Sequence, residues 1–235
     1  SMSLQMIAFD ADDTLWHNEI YYRQGRQLFD EIMAEYGLES DSLDLVDQIE
    51  LENLQFYGYG AVGFAISLVE ASIELTDGRI KAADILRLLS ISKRIVGAEV
   101  ELFEGVEDVL RSLAGSHRLI LITKGDLRHQ RQKVDESGLE SYFDGIEIVS
   151  EKDESIYQEI VDRWRVPPDQ FLMVGNSMRS DVLPVLQIGG MAAHLTNTMT
   201  WDYEQAPTSN LPTNRFFQLE RLEEAIRLVE RLDDR

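Results

Sequence analysis

Short apolar runs and helical patterns alternate along most of this chain. The apolar runs occur at residues 5–9, 118–123, 145–149, 170–174 and 191–195, and helical patterns occur at 106–113, 127–137, 155–164 and 181–188. Strands that alternate with helices of this length are typical of a parallel sheet covered on both faces. We therefore expect an α/β fold, a Rossmann-like doubly wound parallel sheet. Right-handed crossovers would bring the carboxyl ends of its strands to one edge, where such folds bind ligands.

The segment after the first apolar run has a different pattern, with helical periodicity and no clear buried strand. Amphipathic patterns at 18–36, 43–56, 61–75 and 82–95 predict four helices there. We therefore predict a core made of residues 1–15 and 99–235, with an α-helical domain at 16–98 inserted after the first strand. A last strand at 216–219 and a helix at 220–232 are expected to complete the core.

Composition limits the classes of partner. The chain has 22 basic and 43 acidic residues, a formal net charge of -21, which would repel nucleic acid and anionic lipid. No apolar run approaches the roughly 20 residues that a membrane-spanning helix needs. The chain has no cysteine, which excludes disulfides and thiolate metal sites, and we see no secretory signal pattern. We therefore expect a cytoplasmic protein that binds neither nucleic acid nor membrane.

The loop that follows the first apolar run carries the most informative chemistry. It runs from Asp10 to Thr14 with the sequence DADDT, so Asp10 and Asp12 leave the strand two residues apart. Phosphoryl transfer to a carboxylate needs one acid as the nucleophile and a second that can donate a proton to the leaving group. Two carboxylates held this close also form a natural cation site. The alternative is structural, because Asp and Thr are common in turns and helix caps.

Three later strand ends carry residues that complement this loop. Thr123, Lys124 and Gly125 follow one another at a predicted helix start, where a hydroxyl and backbone N–H groups can bind phosphate. Lys152 follows the third core run and could neutralise both a carboxylate nucleophile and a phosphoryl group. A helix-capping threonine and a solvated lysine are the structural alternatives. Together these residues predict one site at the edge of the sheet.

The fourth strand end adds candidate metal ligands. It has the sequence GNSMRSD from Gly175 to Asp181, and its side-chain oxygens at Asn176 and Asp181 suit a hard cation such as Mg²⁺. The glycine permits a sharp turn after the strand. The structural alternative is that Asp181 caps the next helix.

These four elements, in this order, resemble the motifs of the haloacid dehalogenase superfamily, and the helical insertion is similar to its C1-type cap. The resemblance spans nearly the whole chain and implies a phosphatase in which Mg²⁺ is held by Asp10, Asp12 through its backbone carbonyl, and the last motif. Asp10 would attack phosphorus, and Asp12 would protonate the departing alcohol and then deprotonate the hydrolytic water. Many members have an acid at the position of Asn176, so we expect Asp181 to be a direct ligand, with Asn176 either supporting it or binding the metal itself.

The resemblance implies a small phosphorylated metabolite as substrate, such as a sugar phosphate or a nucleoside monophosphate. Dehalogenases of the superfamily lack the second acid of the first motif, so Asp12 argues against that reaction. A receiver-like signalling switch would place its phosphorylated aspartate after the third strand, in a chain about half this length. A catalytically silent metabolite-binding protein is a further alternative, although it need not keep the complete set of residues. The sequence does not indicate the oligomeric state.

Overall fold

The structure is a computed structural model that describes residues 3–38 and 43–235, without the side chains of residues 43 and 44. The chain divides into two compact units, one comprising Ser1–Glu19 and Val100–Arg235 and the other Ile20–Glu99. The first unit continues to Glu19, whereas the sequence predicts an interruption after residue 15. That the second unit acts as a cap stays a prediction.

The first unit contains the parallel sheet that the apolar runs predict. Its strands within the described residues are β1 (Met6–Phe9), β2 (Arg118–Lys124), β3 (Gly145–Val149), β4 (Phe171–Gly175), β5 (Met191–Leu195) and β6 (Phe216–Leu219). All neighbouring strands are parallel, in the order β3-β2-β1-β4-β5-β6. This is the strand order of the doubly wound dinucleotide-binding fold. The predicted Rossmann-like α/β class is confirmed.

The second unit is helical. It contains α1 (Glu19–Glu35), whose first residue belongs to the other unit, α2 (Leu43–Tyr57), α3 (Ala61–Leu75) and α4 (Ala82–Gly97). Phe29, Phe64, Leu68, Leu88 and Ile91 are buried in its own apolar core. The amphipathic periodicity predicts these helices because each must bury one apolar face.

The central strands β1 and β4 have no polar side chain and are buried at every position, because helices cover both faces of the sheet. Ile7 and Phe9 face the side covered by α5 (Val106–Ala114), α6 (Leu127–Ser137) and the C-terminal helix. Met6 and Ala8 face the other side, which is covered by α7 (Glu154–Trp164) and α8 (Leu183–Gln187). Side chains of successive strand residues point to opposite faces, so a strand buried on both sides shows no polar alternation.

Two helices differ from their predicted bounds. The pattern at 181–188 predicts one helix, but the chain forms a π-helical turn at Met178–Val182 followed by the short α8. The last helix, α9 (Glu224–Asp233), begins four residues later than predicted. Wide turns of this kind interrupt helices at functional sites, and this one begins three residues after the end of β4.

The fold positions a site between β1 and β4. These two strands are neighbours at the point where the strand order reverses, and ligands of open parallel sheets bind outside the carboxyl ends at such a point.

Among the described residues, no helix has both the length and the apolar character required to cross a membrane.

Candidate active site

The predicted site residues lie at the carboxyl ends of four neighbouring strands, β3, β2, β1 and β4. Asp10 directly follows β1, Thr123 is the penultimate residue of β2, Lys152 lies three residues after β3, and Asn176 directly follows β4. The Asp10 backbone N–H donates to the Val174 carbonyl at 2.9 Å, which fixes the start of the acidic loop against β4. The sheet therefore brings the four predicted elements to one edge.

The Asp10 carboxylate is almost completely buried and accepts hydrogen bonds on both oxygens. Its Oδ1 accepts from Lys152 Nζ at 2.7 Å, and its Oδ2 accepts from Thr14 Oγ1 at 3.0 Å. Burial, followed by the nearby Asp181 carboxylate, raises the pKa of Asp10 to about 7, against the lowering effect of Lys152. Additional positive charge beside the carboxylate would favour its ionised form.

Lys152 joins two carboxylates in the interior. Its Nζ donates to Asp10 Oδ1 and to Asp181 Oδ1, both at 2.7 Å, and the residue is only 4% exposed. Burial lowers the pKa of Lys152, but the charges of Asp10 and Asp181 outweigh it and raise the pKa well above its usual range. One ammonium group and two ionised carboxylates leave a formal charge of -1, which a cation would offset.

Three oxygen atoms converge beside Asp10 in a way that fits such a cation. Asn176 Oδ1 lies 2.9 Å from Asp10 Oδ2 and 3.2 Å from the backbone carbonyl oxygen of Asp12. Mg²⁺ binds oxygen at about 2.1 Å in an octahedron, which places neighbouring ligand atoms about 2.9 Å apart. The donor set of one carboxylate, one carbonyl and one amide therefore matches magnesium in both chemistry and spacing.

The Asn176 amide can adopt either of two orientations at this position. With Oδ1 toward the other oxygens, Nδ2 donates to Thr200 Oγ1 at 3.1 Å. Turned over, its NH₂ group would donate to Asp10 Oδ2 and the Asp12 carbonyl, and its oxygen would accept from Thr200. The first orientation suits a cation between the oxygens, and the second satisfies the same atoms without one. Among residues 3–38 and 43–235, no cluster of three His, Cys, Asp or Glu side chains offers an alternative metal site.

The contacts of Asp181 differ from those expected of a direct ligand. Oδ1 accepts from Lys152, and Oδ2 accepts from the Ser177 backbone N–H at 3.0 Å. A Cβ on Gly175 would lie 2.2 Å from an Asp181 oxygen, so only glycine allows this carboxylate to fold back against the end of β4. These contacts favour Asn176 over Asp181 as a direct ligand, whereas the sequence favours Asp181, and the ligand assignment stays a prediction.

Asp12 is held by three donors. Oδ1 accepts from Trp16 Nε1 at 2.9 Å and from Lys133 Nζ at 2.7 Å, and Oδ2 accepts from Gln130 Nε2 at 2.9 Å. Burial raises the pKa of Asp12, but the Lys133 charge and these hydrogen bonds outweigh it, so the pKa is lowered. This environment favours the ionised carboxylate, the form that can accept a proton.

Thr123 is buried at the end of β2, where its hydroxyl accepts from Gln130 Nε2 at 2.7 Å. The neighbouring Gly125 does not supply the expected phosphate-binding N–H, because that group donates to the Val149 carbonyl at 3.1 Å. Its φ of +152° and the Gln130 side chain 3.0 Å from its would-be Cβ explain why glycine is required there. Its role is to admit Gln130.

The role of Lys124 in phosphate binding stays a prediction, because its described contacts are to protein groups. Its Nζ donates to Glu204 Oε1 at 2.7 Å and to Ser180 Oγ at 2.8 Å. Glu204 also accepts hydrogen bonds from the hydroxyls of Ser177 and Ser180. Burial raises the pKa of Glu204, but Lys124 and these hydrogen bonds outweigh it, so the pKa is lowered. Lys124 therefore fastens the loop after β5 to the turn after β4.

Sequence reasoning did not select Gln130, Lys133 or Glu204. Gln130 and Lys133 lie three residues apart on α6, so they share one face of the helix. That spacing, on a helix that follows the Thr123 strand, is a signal that could have identified them. Glu204 lies in an irregular segment, and nothing in its local sequence indicates a partner 80 residues away.

Curated relatives of this chain include a phosphatase and a nucleotidase. It is 28% identical over 209 residues to N-acylneuraminate-9-phosphatase of Rattus norvegicus, an alignment that covers 83% of this chain and 82% of that protein. It is also 24% identical over 240 residues to the pyrimidine 5′-nucleotidase YjjG of Escherichia coli, covering 96% and 99% respectively. The alignments therefore extend over most of both proteins.

Solved structures share the whole fold. A haloacid dehalogenase-like family hydrolase from Xanthomonas campestris superimposes with a TM-score of 0.88 at 38% identity, covering 99% of this chain and 93% of that chain. The HAD-hydrolase YfnB from Bacillus subtilis, solved with bound magnesium, superimposes with a TM-score of 0.68 at 18% identity, covering 97% and 99%. Residues 4–189 match the family described as haloacid dehalogenase-like hydrolase. This chain belongs to the haloacid dehalogenase-like hydrolase family.

Proposed function

We propose that this hydrolase is a magnesium-dependent phosphatase that acts on a small phosphomonoester through an aspartyl-phosphate on Asp10. The observation that carries the proposal is the buried Asp10 carboxylate between Lys152 and Thr14, with the Asp12 carboxylate two residues further on. A nucleophile, its countercharge and a proton-transfer group thus share one loop and its neighbours. The phosphatase names of the relatives support the same activity.

In the first step an Asp10 oxygen forms a bond to phosphorus while the bond from phosphorus to the ester oxygen breaks. Asp12, which must hold a proton for this step although its surroundings favour the ionised form, gives that proton to the departing oxygen, and an alcohol leaves. In the second step water attacks phosphorus, the bond between phosphorus and Asp10 breaks, and Asp12 takes the water proton. The products are alcohol and inorganic phosphate, and Asp12 ends protonated as it began.

Lys152 and Thr123 assist both steps. The Lys152 ammonium group offsets charge on Asp10 and on the transferred group, which in phosphoryl transfer carries its charge on peripheral oxygens. Because the Thr123 hydroxyl accepts from Gln130, its own proton is available to a phosphate oxygen.

We propose that magnesium is held by Asp10 Oδ2, the Asp12 carbonyl and Asn176 Oδ1. When bound, it supplies positive charge against the oxygens of the phosphoryl group. The support is the oxygen spacing described above, together with the magnesium found in the Bacillus subtilis neighbour of the same fold.

Two of the three alternative functions account less well for these residues. A dehalogenase displaces halide, which leaves without a proton, so that reaction does not account for Asp12. A receiver-like switch would carry its phosphorylated aspartate after the third strand, whereas Asp10 follows β1. For the substrate we propose a sugar phosphate or a nucleoside monophosphate. The names of the relatives, an N-acylneuraminate-9-phosphatase and a pyrimidine 5′-nucleotidase, support these two classes.

The test is phosphate release from a panel of sugar phosphates and nucleoside monophosphates, with Mg²⁺ and with a chelator, for wild type and Asp10→Asn. We expect activity that requires both the metal and Asp10. Asp153→Asn is the matched control, because it makes the same change in a carboxylate that only caps α7. Turnover in the Asp10→Asn variant at the wild-type rate would refute the nucleophile assignment.

A further inference from the structure

Two residues of α6 make contacts that the proposed chemistry leaves unexplained. Gln130 and Lys133 are 4% and 7% exposed, although glutamine and lysine are rarely buried. Both point at the loop that carries Asp12. Lys133 Nζ lies 2.7 Å from Asp12 Oδ1, in the middle of the acidic loop, and 3.2 Å from Asn18 Oδ1, which follows the loop in the same unit.

The amide of Gln130 links Asp12, the proposed proton-transfer group, to Thr123, the proposed phosphate-binding hydroxyl. Its NH₂ group lies 2.9 Å from Asp12 Oδ2 and 2.7 Å from Thr123 Oγ1, with the Lys124 carbonyl farther away at 3.2 Å. An amide NH₂ has two protons, so these two close contacts use both. One side chain therefore fixes the Asp12 carboxylate and the orientation of the Thr123 hydroxyl.

We propose that Gln130 and Lys133 are positioning residues that hold the Asp12 carboxylate as the proton acceptor for hydrolysis of the aspartyl-phosphate. This inference rests on the proposed phosphatase function. Donors on both carboxylate oxygens fix the place and orientation from which Asp12 takes the proton of water in the second step. With a leaving group that departs without a proton, loss of this support acts on the second step alone.

The difference between the two steps defines a test with p-nitrophenyl phosphate. Its leaving group departs without a proton, so the first step does not depend on Asp12 as an acid. Lys133→Met and Gln130→Met should therefore form the phosphoenzyme at nearly the wild-type rate and hydrolyse it slowly. We expect the ratio of the burst rate to the steady-state rate, measured by stopped flow, to rise about tenfold to a hundredfold, part of what general acid–base catalysis supplies.

Arg131→Met is the matched control, because it removes a cation from the same helix. Arg131 is paired at the surface with Asp135 and Glu140. We expect the wild-type ratio in this variant. Lys133→Arg keeps a cation that can donate to Asp12, and it should recover a large part of the steady-state rate lost in Lys133→Met.

The outcomes separate this inference from the proposed function. If wild type and Arg131→Met both lack activity that requires Asp10, the proposed function fails. If wild type is active and the two methionine variants lose rate without a larger burst ratio, the residues act on folding or on the first step, and the inference is overturned. Thermal unfolding of each variant identifies loss of folded protein, and Gln130→Met, which leaves the Lys133–Asp12 ion pair intact, decides the question if Lys133→Met does not fold.

Discussion

Replacing Lys152 with methionine should remove turnover and at the same time strengthen magnesium binding. The side chain keeps a similar length and loses only its charge and its donors. In the wild type, Lys152 Nζ lies 2.7 Å from one oxygen of Asp10 and 2.7 Å from one oxygen of Asp181. Without the ammonium group, two buried carboxylates face each other, and nothing else in their described contacts separates their charges.

The size of this effect follows from the two distances. The oxygens that share Lys152 are no more than about 5.4 Å apart, so their repulsion at an effective dielectric constant of about 20 is roughly 3 kcal/mol. That energy corresponds to about two pH units in the pKa of one carboxylate. Asp10 in the metal-free variant would therefore be mostly protonated near neutral pH, because its pKa is already about 7 with Lys152 present, and a protonated carboxyl group is a poor nucleophile. The ammonium charge that offsets the transferred phosphoryl group is lost as well, and together the two effects should lower kcat by about a thousandfold.

Magnesium binding should change in the opposite direction, because removal of a positive charge makes the site more attractive to a cation. Isothermal titration of Mg²⁺ and steady-state kinetics together measure both effects. Arg163→Met is the control, since it removes an exposed cation paired with Glu147. Weaker magnesium binding in folded Lys152→Met, or turnover close to wild type, would show that the charge reasoning for this lysine is wrong.

Two further predictions concern the turn after β4 and its support. Asn176→Asp should bind Mg²⁺ at least tenfold more tightly, because it adds a carboxylate to the oxygen set, and an unchanged half-saturating concentration would argue against Asn176 as a ligand. Glu204→Gln should lower Tm by several degrees, since it breaks a buried ion pair with Lys124. The lowered pKa of Glu204 implies that its ionised form stabilises the folded protein above about pH 4.5, and that this contribution is lost as pH falls through the folded-state pKa. The stability difference between wild type and Glu204→Gln should therefore shrink on acidification. A constant difference would contradict this role of Glu204.

The sheet could be predicted from sequence because each strand shows its burial in its own run of apolar residues. A strand covered on both faces is apolar along its length, and polar residues follow it where the strand ends at one edge of the sheet. The acidic loop at Asp10, Thr123, Lys152 and the turn at Asn176 could therefore be placed at strand ends before any contact was known. The parallel arrangement then brings the ends together, as the contact between Lys152 and Asp10 illustrates.

The contacts of polar side chains could not be predicted in the same way. Lys124 follows Thr123 and could bind phosphate on sequence grounds, yet its partner Glu204 comes from an irregular segment whose path has no periodic signal. Gln130 and Lys133 have the polarity of a solvated helix face, and only tertiary packing turns them toward Asp12. Likewise the Gly125 N–H is used in pairing with β3, a contact that depends on strand register.

The same pairing leads to a last prediction, about anion binding. Each lysine at this edge of the sheet has a carboxylate 2.7 Å away: Lys124 with Glu204, Lys133 with Asp12, and Lys152 with Asp10 and Asp181. Their charge is offset before any phosphate arrives, in a chain with a net charge of -21. Phosphate binding must therefore depend on an added cation. The affinity for phosphate, measured by isothermal titration, should fall at least tenfold when a chelator removes Mg²⁺. Binding of equal strength with and without Mg²⁺ would mean that the paired lysines recognise the anion themselves.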